Sequence, residues 1–491
     1  MAAIALSLQR SLPIPIFMRA HNAEKLTSVS TPQAANPLET EWQTHCQKYL
    51  PINPDRGIWR FHRVQNPDDP EQGWKLHISA TIFSANPVFK RVAPLLSRSG
   101  VLFKAPRSIE ELGKINSGLH YGFSQVGKFI TVYPRTPHQA LSLANKLHEL
   151  TRGFACPAVP YDIGFKTGGC VYYRYGVFGD AQIKKGRRMV SALRMPDGTL
   201  VPDRREPGHA VPSWLTDPLT NGRRRTTPKK STHLMVTTRA YEAISQRGKG
   251  GVYRALDLSV APARLCLLKE GRRHGETDYF GRDGHWRVKH ERAVLAALIE
   301  EGVSVPRVYR TFEVECHYYL VTEFVEGESL QRISLDRKRP LSLADALRYA
   351  KQATRLVERI HASGWVWRDC KPLNLIVSRR SVLRPVDFEG ACEISVPDPT
   401  PWGTPGFTAP KLVNEPKYLR AADDLYALGA TIYQLLTGRS PSTKRFPRLL
   451  DSTDGRIPAA VIKLTNSLLD PEPLRRPSAA MASRVFKTLA K

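Results

Sequence analysis

Two sets of residues in this sequence have the types and spacing that chemistry needs. The first is Val366–Val377, VWRDCKPLNLIV, followed thirteen residues after Asn374 by Asp387-Phe388-Glu389-Gly390. Phosphoryl transfer needs this equipment. Asp369 can accept or orient the proton of an attacking hydroxyl, Lys371 can steady a γ-phosphate, and Asn374 with Asp387 can hold Mg2+ on the phosphates of ATP. The second set is basic residues inside strand-like text: Lys75 and His77 in WKLHIS, Lys104 in VLFK, Lys128 in GKFITVYP and Arg174 in VYYRYG. Side chains alternate along a strand, so Lys75 and His77 share a face. Cations in half-buried strands need an anion, and a phosphate-binding cleft is the economical explanation. For any one lysine taken alone, a stem lying on apolar surface would be enough.

The elements that must hold these residues are legible in outline. Trp74–Phe83 and Lys128–Tyr133 read as strands, and Pro87–Leu96 as a helix. Thr136–Leu150 places Leu141, Leu143, Leu147 and Leu150 at helical spacings behind Pro137. The chain has 491 residues, enough for two or three domains. Residues 1–40 read as a disordered tail and 41–180 as a mixed α and β domain. Residues 181–230 hold twelve Lys+Arg against four acids, with six prolines. That composition makes 181–234 a basic, Pro-rich connector with little regular structure. Residues 235–491 suit one two-lobed enzyme domain. The fold class expected is α+β.

Composition narrows the function classes. The 73 Lys+Arg exceed the 45 Asp+Glu, a net charge of +28, so anionic partners are expected. No aromatic residues interleave the basic run as a stacking platform, which disfavours nucleic acid. No apolar run reaches the length that crosses a bilayer, so no membrane partner is expected. Seven scattered cysteines with no Cys-x-x-Cys pair suit reduced thiols in the cytoplasm.

The C-terminal motifs resemble those of protein kinases, in the family's order. By that resemblance Gly248, Gly250, Gly251 and Val252 form an irregular glycine-rich loop over ATP. Lys269 meets the α/β-phosphates and pairs with Glu291. Thr322 is the gatekeeper, and the Glu323–Val325 backbone meets adenine. Asp424–Gly429 resembles the buried anchor helix and Arg476-Pro477-Ser478 the closing motif. Four positions depart from the pattern: the glycine steps, Trp367 where a histidine is usual, Glu389 inside Asp-Phe-Gly, and Lys411 where an acid usually pairs with Arg476. Glu415 is the candidate substitute partner.

The N-terminal motifs, the connector segment Met195–Leu219 and the Asp-Phe-Glu motif resemble class III lanthipeptide synthetases. Their leading domain is related to phosphothreonine lyases. The resemblance implies a kinase that phosphorylates Ser and Thr of a precursor peptide, and a lyase that removes the phosphate by β-elimination. It implies Lys104 as base, His77 as acid, and Lys75, Lys128 and Arg174 as phosphate ligands. The family's arginine five residues before Lys128 is Phe123 here; Arg107 and His120 are the candidates to compensate. A C-terminal cyclase-like domain is absent from the sequence, so ring closure is expected elsewhere. The expected partner is a Ser/Thr-bearing peptide or protein with an acidic leader. The alternatives are a signalling Ser/Thr kinase whose N-terminal domain only binds phosphorylated or acidic partners, and a pseudokinase scaffold.

Overall fold

The structure is a computed structural model that describes residues 36–220, 237–336, 341–396, 398, 402–409, 421–441 and 455–488. Its chain divides into two compact units. One holds the chain through Arg264 with Leu268–Trp286 and Phe312–Tyr319, and the other holds Leu265–Leu267, Arg287–Thr311 and Leu320–Lys491.

The first unit begins with α1 (Pro37–Tyr49), capped by the Asn36 side chain, so the expected tail ends earlier than residue 40. Residues 1–35 of that tail lie outside the described residues. Next come β1 (Trp59–Phe61), β2 (Gln72–Ile78), α2 (Ala85–Arg98), β3 (Leu102–Pro106), α3 (Ile109–Ser117), β4 (Ile130–Tyr133), α4 (Pro137–Thr151), β5 (Ile163–Gly164) and β6 (Val171–Val177). The six strands form one sheet in the order β1-β3-β4-β2-β6-β5. β2 stops at Ile78, short of the expected Phe83. Thr81 and Ser84 exchange backbone-to-hydroxyl bonds of 2.9 and 3.1 Å, a turn that feeds α2. Thr136 caps α4 through a 3.1 Å bond from the Gln139 N–H, with Pro137 in its first turn.

Alternation in these strands makes two interiors. Trp74, Leu76, Ile78, Phe103, Ile130, Val132 and Tyr173 join the apolar core with residues of α1, α2 and α4. Trp42 is fully buried at its centre, 4.9 Å from the Phe89 ring and 5.3 Å from Phe129, with Nε1 donating to the Pro106 carbonyl at 3.1 Å. The opposite face carries the polar residues.

The connector is more ordered than its prolines and charge imply. β7 (Gln182–Lys185), β8 (Arg188–Arg194) and β9 (Leu200–Pro202) form an antiparallel three-stranded sheet. Its turns carry Gly186 and Gly198 at positive φ, and Ala192 and Leu193 are buried. Strand pairing and the burial of Ala192 and Leu193 outweigh net charge there. Residues 221–234 lie outside the described residues.

A second sheet follows in the order β10 (Thr238–Arg247), β11 (Gly250–Asp257), β12 (Arg264–Gly271), β14 (His317–Glu323), β13 (Val308–Val314), with α5 (Gly284–Glu300) between β12 and β13. The second unit adds the helices α6 (Leu330–Ser334), α7 (Leu343–Ala362), α8 (Ala421–Thr437), α9 (Ala459–Leu468) and α10 (Ala479–Thr488). Among the described residues no helix is long and apolar enough to cross a membrane.

Replacing Trp42 by Ala removes the centre of the first core. Urea unfolding should show a loss of about 3–5 kcal/mol. Trp42→Phe should lose less, because the cluster keeps an aromatic ring.

Candidate functional site

The polar face of the six-stranded sheet lines a cavity of about 310 Å³ that includes Lys75, His77, Lys104, Lys128 and Arg174. Strand register brings them together. One cross-strand row runs Phe61, Lys104, Thr131, His77, Tyr172, so Lys104 and His77 are separated by a single strand. Two strand spacings are about 10 Å. Lys75 lies directly opposite Arg174.

Two buried carboxylates support these cations. His77 Nδ1 is 2.5 Å from Asp162 Oδ2, and Asp162 Oδ1 faces Lys128 Nζ at 3.8 Å. Arg174 Nη2 donates to Asp203 Oδ1 at 2.6 Å and to the Arg204 carbonyl at 2.8 Å. Aromatic faces take the remaining charge: Lys104 Nζ lies 4.7 Å from the Trp59 ring centroid, and Lys75 Nζ 5.6 Å from that of Tyr133.

The charges shift one another's protonation. Burial lowers Lys104 to about 8, with Arg205 and Lys128 adding to the effect. Burial lowers Lys75 to about 7 and Lys128 to about 8, against the pull of Asp203 and Asp162 respectively. His77 falls to about 4 because burial outweighs the attraction of Asp162. Burial pushes Asp162 up, but Lys128 and His77 outweigh it and hold it at about 2.

The kinase-like residues divide between the two units. In the first, β10 and β11 form a hairpin whose glycines permit close backbone approach. A Cβ at Gly248 would meet the Asn116 carbonyl, and one at Gly250, whose φ is +151°, would meet the Glu270 carbonyl. Gly251 packs on the Tyr253 ring, and Val252 follows on β11. Lys269 lies half-buried on β12.

In the second unit, Asp369 is the hub. Its Oδ2 takes Lys371 Nζ at 2.7 Å and Asn374 Nδ2 at 2.8 Å, and its Oδ1 takes the Thr404 hydroxyl at 2.9 Å. The Val386 N–H donates to the Asn374 carbonyl at 2.9 Å, which sets Asp387 next in line. Glu291, on α5, accepts the Phe388 N–H at 3.1 Å. Glu323 receives both terminal nitrogens of Arg384 at 3.1 Å, and Val325 follows β14 half-buried. Trp367 substitutes structurally for the expected histidine: its indole donates to the Asp387 carbonyl at 3.0 Å and stacks on Phe388 at 5.3 Å. Arg476 lies 3.6 Å from Asp423, while Lys411 and Glu415 lie outside the described residues.

Comparison with known proteins matches both halves. Residues 33–231 match the family described as RamC, N-terminal domain, and residues 280–485 match the protein kinase domain. The chain joins a RamC N-terminal domain to a protein kinase domain. It is 31% identical over 413 residues to the probable SapB synthase of Streptomyces coelicolor, a match covering 80% of this chain and 42% of that protein. The chain is 29% identical over 262 residues to serine/threonine-protein kinase D of a Synechocystis strain, covering 49% of this chain and 50% of that one. It is also 30% identical over 220 residues to the mouse hormonally up-regulated neu tumor-associated kinase, covering 40% of this chain and 30% of that one. The chain thus spans less than half the length of SapB synthase.

Within the RamC N-terminal domain, the structure corrects one expectation. Arg107 hydrogen-bonds the Pro54 carbonyl at 2.9 Å, and neither it nor His120 lines the cavity. Phe123 lies under the Arg272 guanidinium at 4.8 Å. Sequence reasoning missed Asp162, Asp203 and Arg205. A histidine in proton transfer needs an orienting carboxylate, a signal that demands an aspartate without saying which.

Lys104 makes stability depend on pH. Its folded value is about 8 against an ordinary 10.5, so between those values the unfolded chain binds more protons. Stability contributed by this site therefore rises as pH increases from 8 to 10.5. Thermal unfolding should show the parent gaining more over that range than Lys104→Met.

Proposed function

We propose that the chain phosphorylates Ser and Thr of a ribosomally made peptide, and that its N-terminal domain eliminates the phosphate to leave a dehydroamino acid. The observation that carries the second step is the cavity, which places a low-pKa lysine and an imidazole on one row of a cation-lined sheet face. The kinase domain and the likeness to SapB synthase support the first.

For phosphoryl transfer, Asp369 accepts the substrate hydroxyl proton and Lys371 steadies the transferred phosphate. Lys269 and Glu291, the Gly248–Val252 backbone, and the Glu323–Val325 backbone serve ATP. Asn374 and Asp387 offer oxygen donors, the ligand chemistry that Mg2+ takes. Bound there, the ion neutralises phosphate charge.

For elimination, Lys104 removes the Cα proton while His77 protonates the departing phosphate oxygen. Breaking the Cβ–O bond releases inorganic phosphate and leaves the Cα=Cβ double bond. The neutral amine of Lys104 is accessible near neutral pH because its value is lowered to about 8. His77 at about 4 needs help to act as an acid. A phosphate dianion supplies it by raising the imidazole, and Asp162 stabilises the imidazolium. Lys75, Lys128 and Arg174 line the phosphate position. An acidic leader suits a chain of +28 charge, and ATP with seven free cysteines suits the cytoplasm.

Mass spectrometry of a Ser/Thr peptide encoded beside the gene, incubated with ATP and Mg2+, tests both steps. The parent should remove about 18 Da per modified residue, whereas Lys104→Ala should leave the phosphopeptide at about +80 Da. Asp387→Asn should give neither change. If Lys104→Ala and the parent yield the same product, the N-terminal domain is not a lyase.

A further inference from the structure

Arg205 comes from the segment that follows β9, yet its side chain lines the cavity beside the lysines. That segment is fastened in place. The Asp203 N–H donates to the Ser191 carbonyl at 2.8 Å, and Arg174 grips both the Asp203 carboxylate and the Arg204 carbonyl. Arg174 thereby commits Nη2 to this segment, with Nη1 also donating to Asp203 Oδ2 at 3.5 Å, and Asp203 cancels much of its charge. Arg205 itself has no hydrogen-bond or ion-pair partner among the described residues, and it is exposed. Its charge falls on groups that already repel it, pushing down Lys104 first among the charged neighbours and Lys128 after Asp162. A cation facing a cluster of cations is unfavourable until an anion enters.

We propose that Arg205 is a phosphate-binding residue of this cavity, carried in by the connector and held by the Asp203–Arg174 pair. It supplies the planar fork that Phe123 cannot offer, and a guanidinium suits a phosphate monoester better than an ammonium does. The assignment rests on the reading of the cavity as a phosphoserine/phosphothreonine lyase site. Arg174 acts in part as a positioning residue for it.

Calorimetry on the Lys104→Ala protein, which should bind without turning over, tests the assignment with a phosphoserine peptide and its unphosphorylated form. Adding Arg205→Ala should weaken phosphopeptide binding about tenfold and leave the unphosphorylated peptide unchanged. Arg205→Lys should fall between, since it keeps the charge and loses the fork. Unchanged phosphopeptide affinity in Arg205→Ala overturns the proposal. So does a Lys104→Ala protein that does not prefer the phosphorylated peptide. A thermal midpoint no lower than that of the parent and unaltered peptide phosphorylation in Arg205→Ala show that the fold is intact. Phosphate release from the same peptide by the unsubstituted chain reports elimination separately. If release is absent while the binding difference stands, the lyase reading fails and Arg205 remains a phosphate ligand.

Discussion

Burying cations is the constraint on which the N-terminal domain depends. Lys75, Lys128 and Arg174 are each less than one-tenth exposed, and Lys104 is half-buried beside them. An isolated ammonium in such a place would shed its proton rather than stay charged. Asp162 and Asp203 hold two of the cations, and the rings of Trp59, Tyr133 and Phe178 face the others. Two carboxylates cannot neutralise this many positive groups; burial lowers the lysines to about 7 or 8, and the neighbouring cations add to that effect. Lining the cavity with these cations is therefore less stable than lining it with apolar residues would be. An entering dianion relieves that, so the same imbalance that weakens the fold favours the ligand.

The legible part of this site is the part that period-two alternation controls. WKLHIS alone puts Lys75 and His77 on one face, and the register then aligns them with Lys104, Thr131 and Arg174. What alternation cannot reach is the loop and edge contribution. Asp162 sits just before the two-residue β5, after Tyr161 at positive φ, and nothing in YDIGF announces a partner 85 residues away at His77. Asp203 and Arg205 were hidden differently. Their segment reads as solvated connector by charge and proline content, although Gly186 and Gly198 set the turns that carry it back to the sheet.

In the kinase half, Asp369, Lys371 and Asn374 lie within six residues, so one short segment brings them together, and Asp369 bonds both of the others directly. The departures needed coordinates. Asp424 accepts the Trp367 and Arg368 N–H groups at 2.7 and 2.6 Å, fixing the turn in which Arg368 has φ +68°. With that turn held by backbone bonds, the residue at 367 is free to be aromatic. Trp367 holds the Asp387 carbonyl and places a stacked ring against fully buried Phe388.

Phe123 illustrates how one aromatic residue organises the charge around it. Its ring meets Tyr161 edge-on at 5.9 Å and carries the Arg272 guanidinium, which is itself paired with buried Glu270 at 2.9 Å. The nearby Gly248 N–H donates to the Ser117 carbonyl at 2.9 Å, so the backbone around position 123 and the β10–β11 hairpin hold Arg272 in this place. An arginine at 123 would confront that guanidinium at a distance where like charges repel strongly in a partly buried setting. An aromatic face turns the same contact into an attraction. Position 123 therefore cannot serve Arg272 and a phosphate together. The segment anchored by Asp203 brings a positive charge to the cavity from another element, in Arg205.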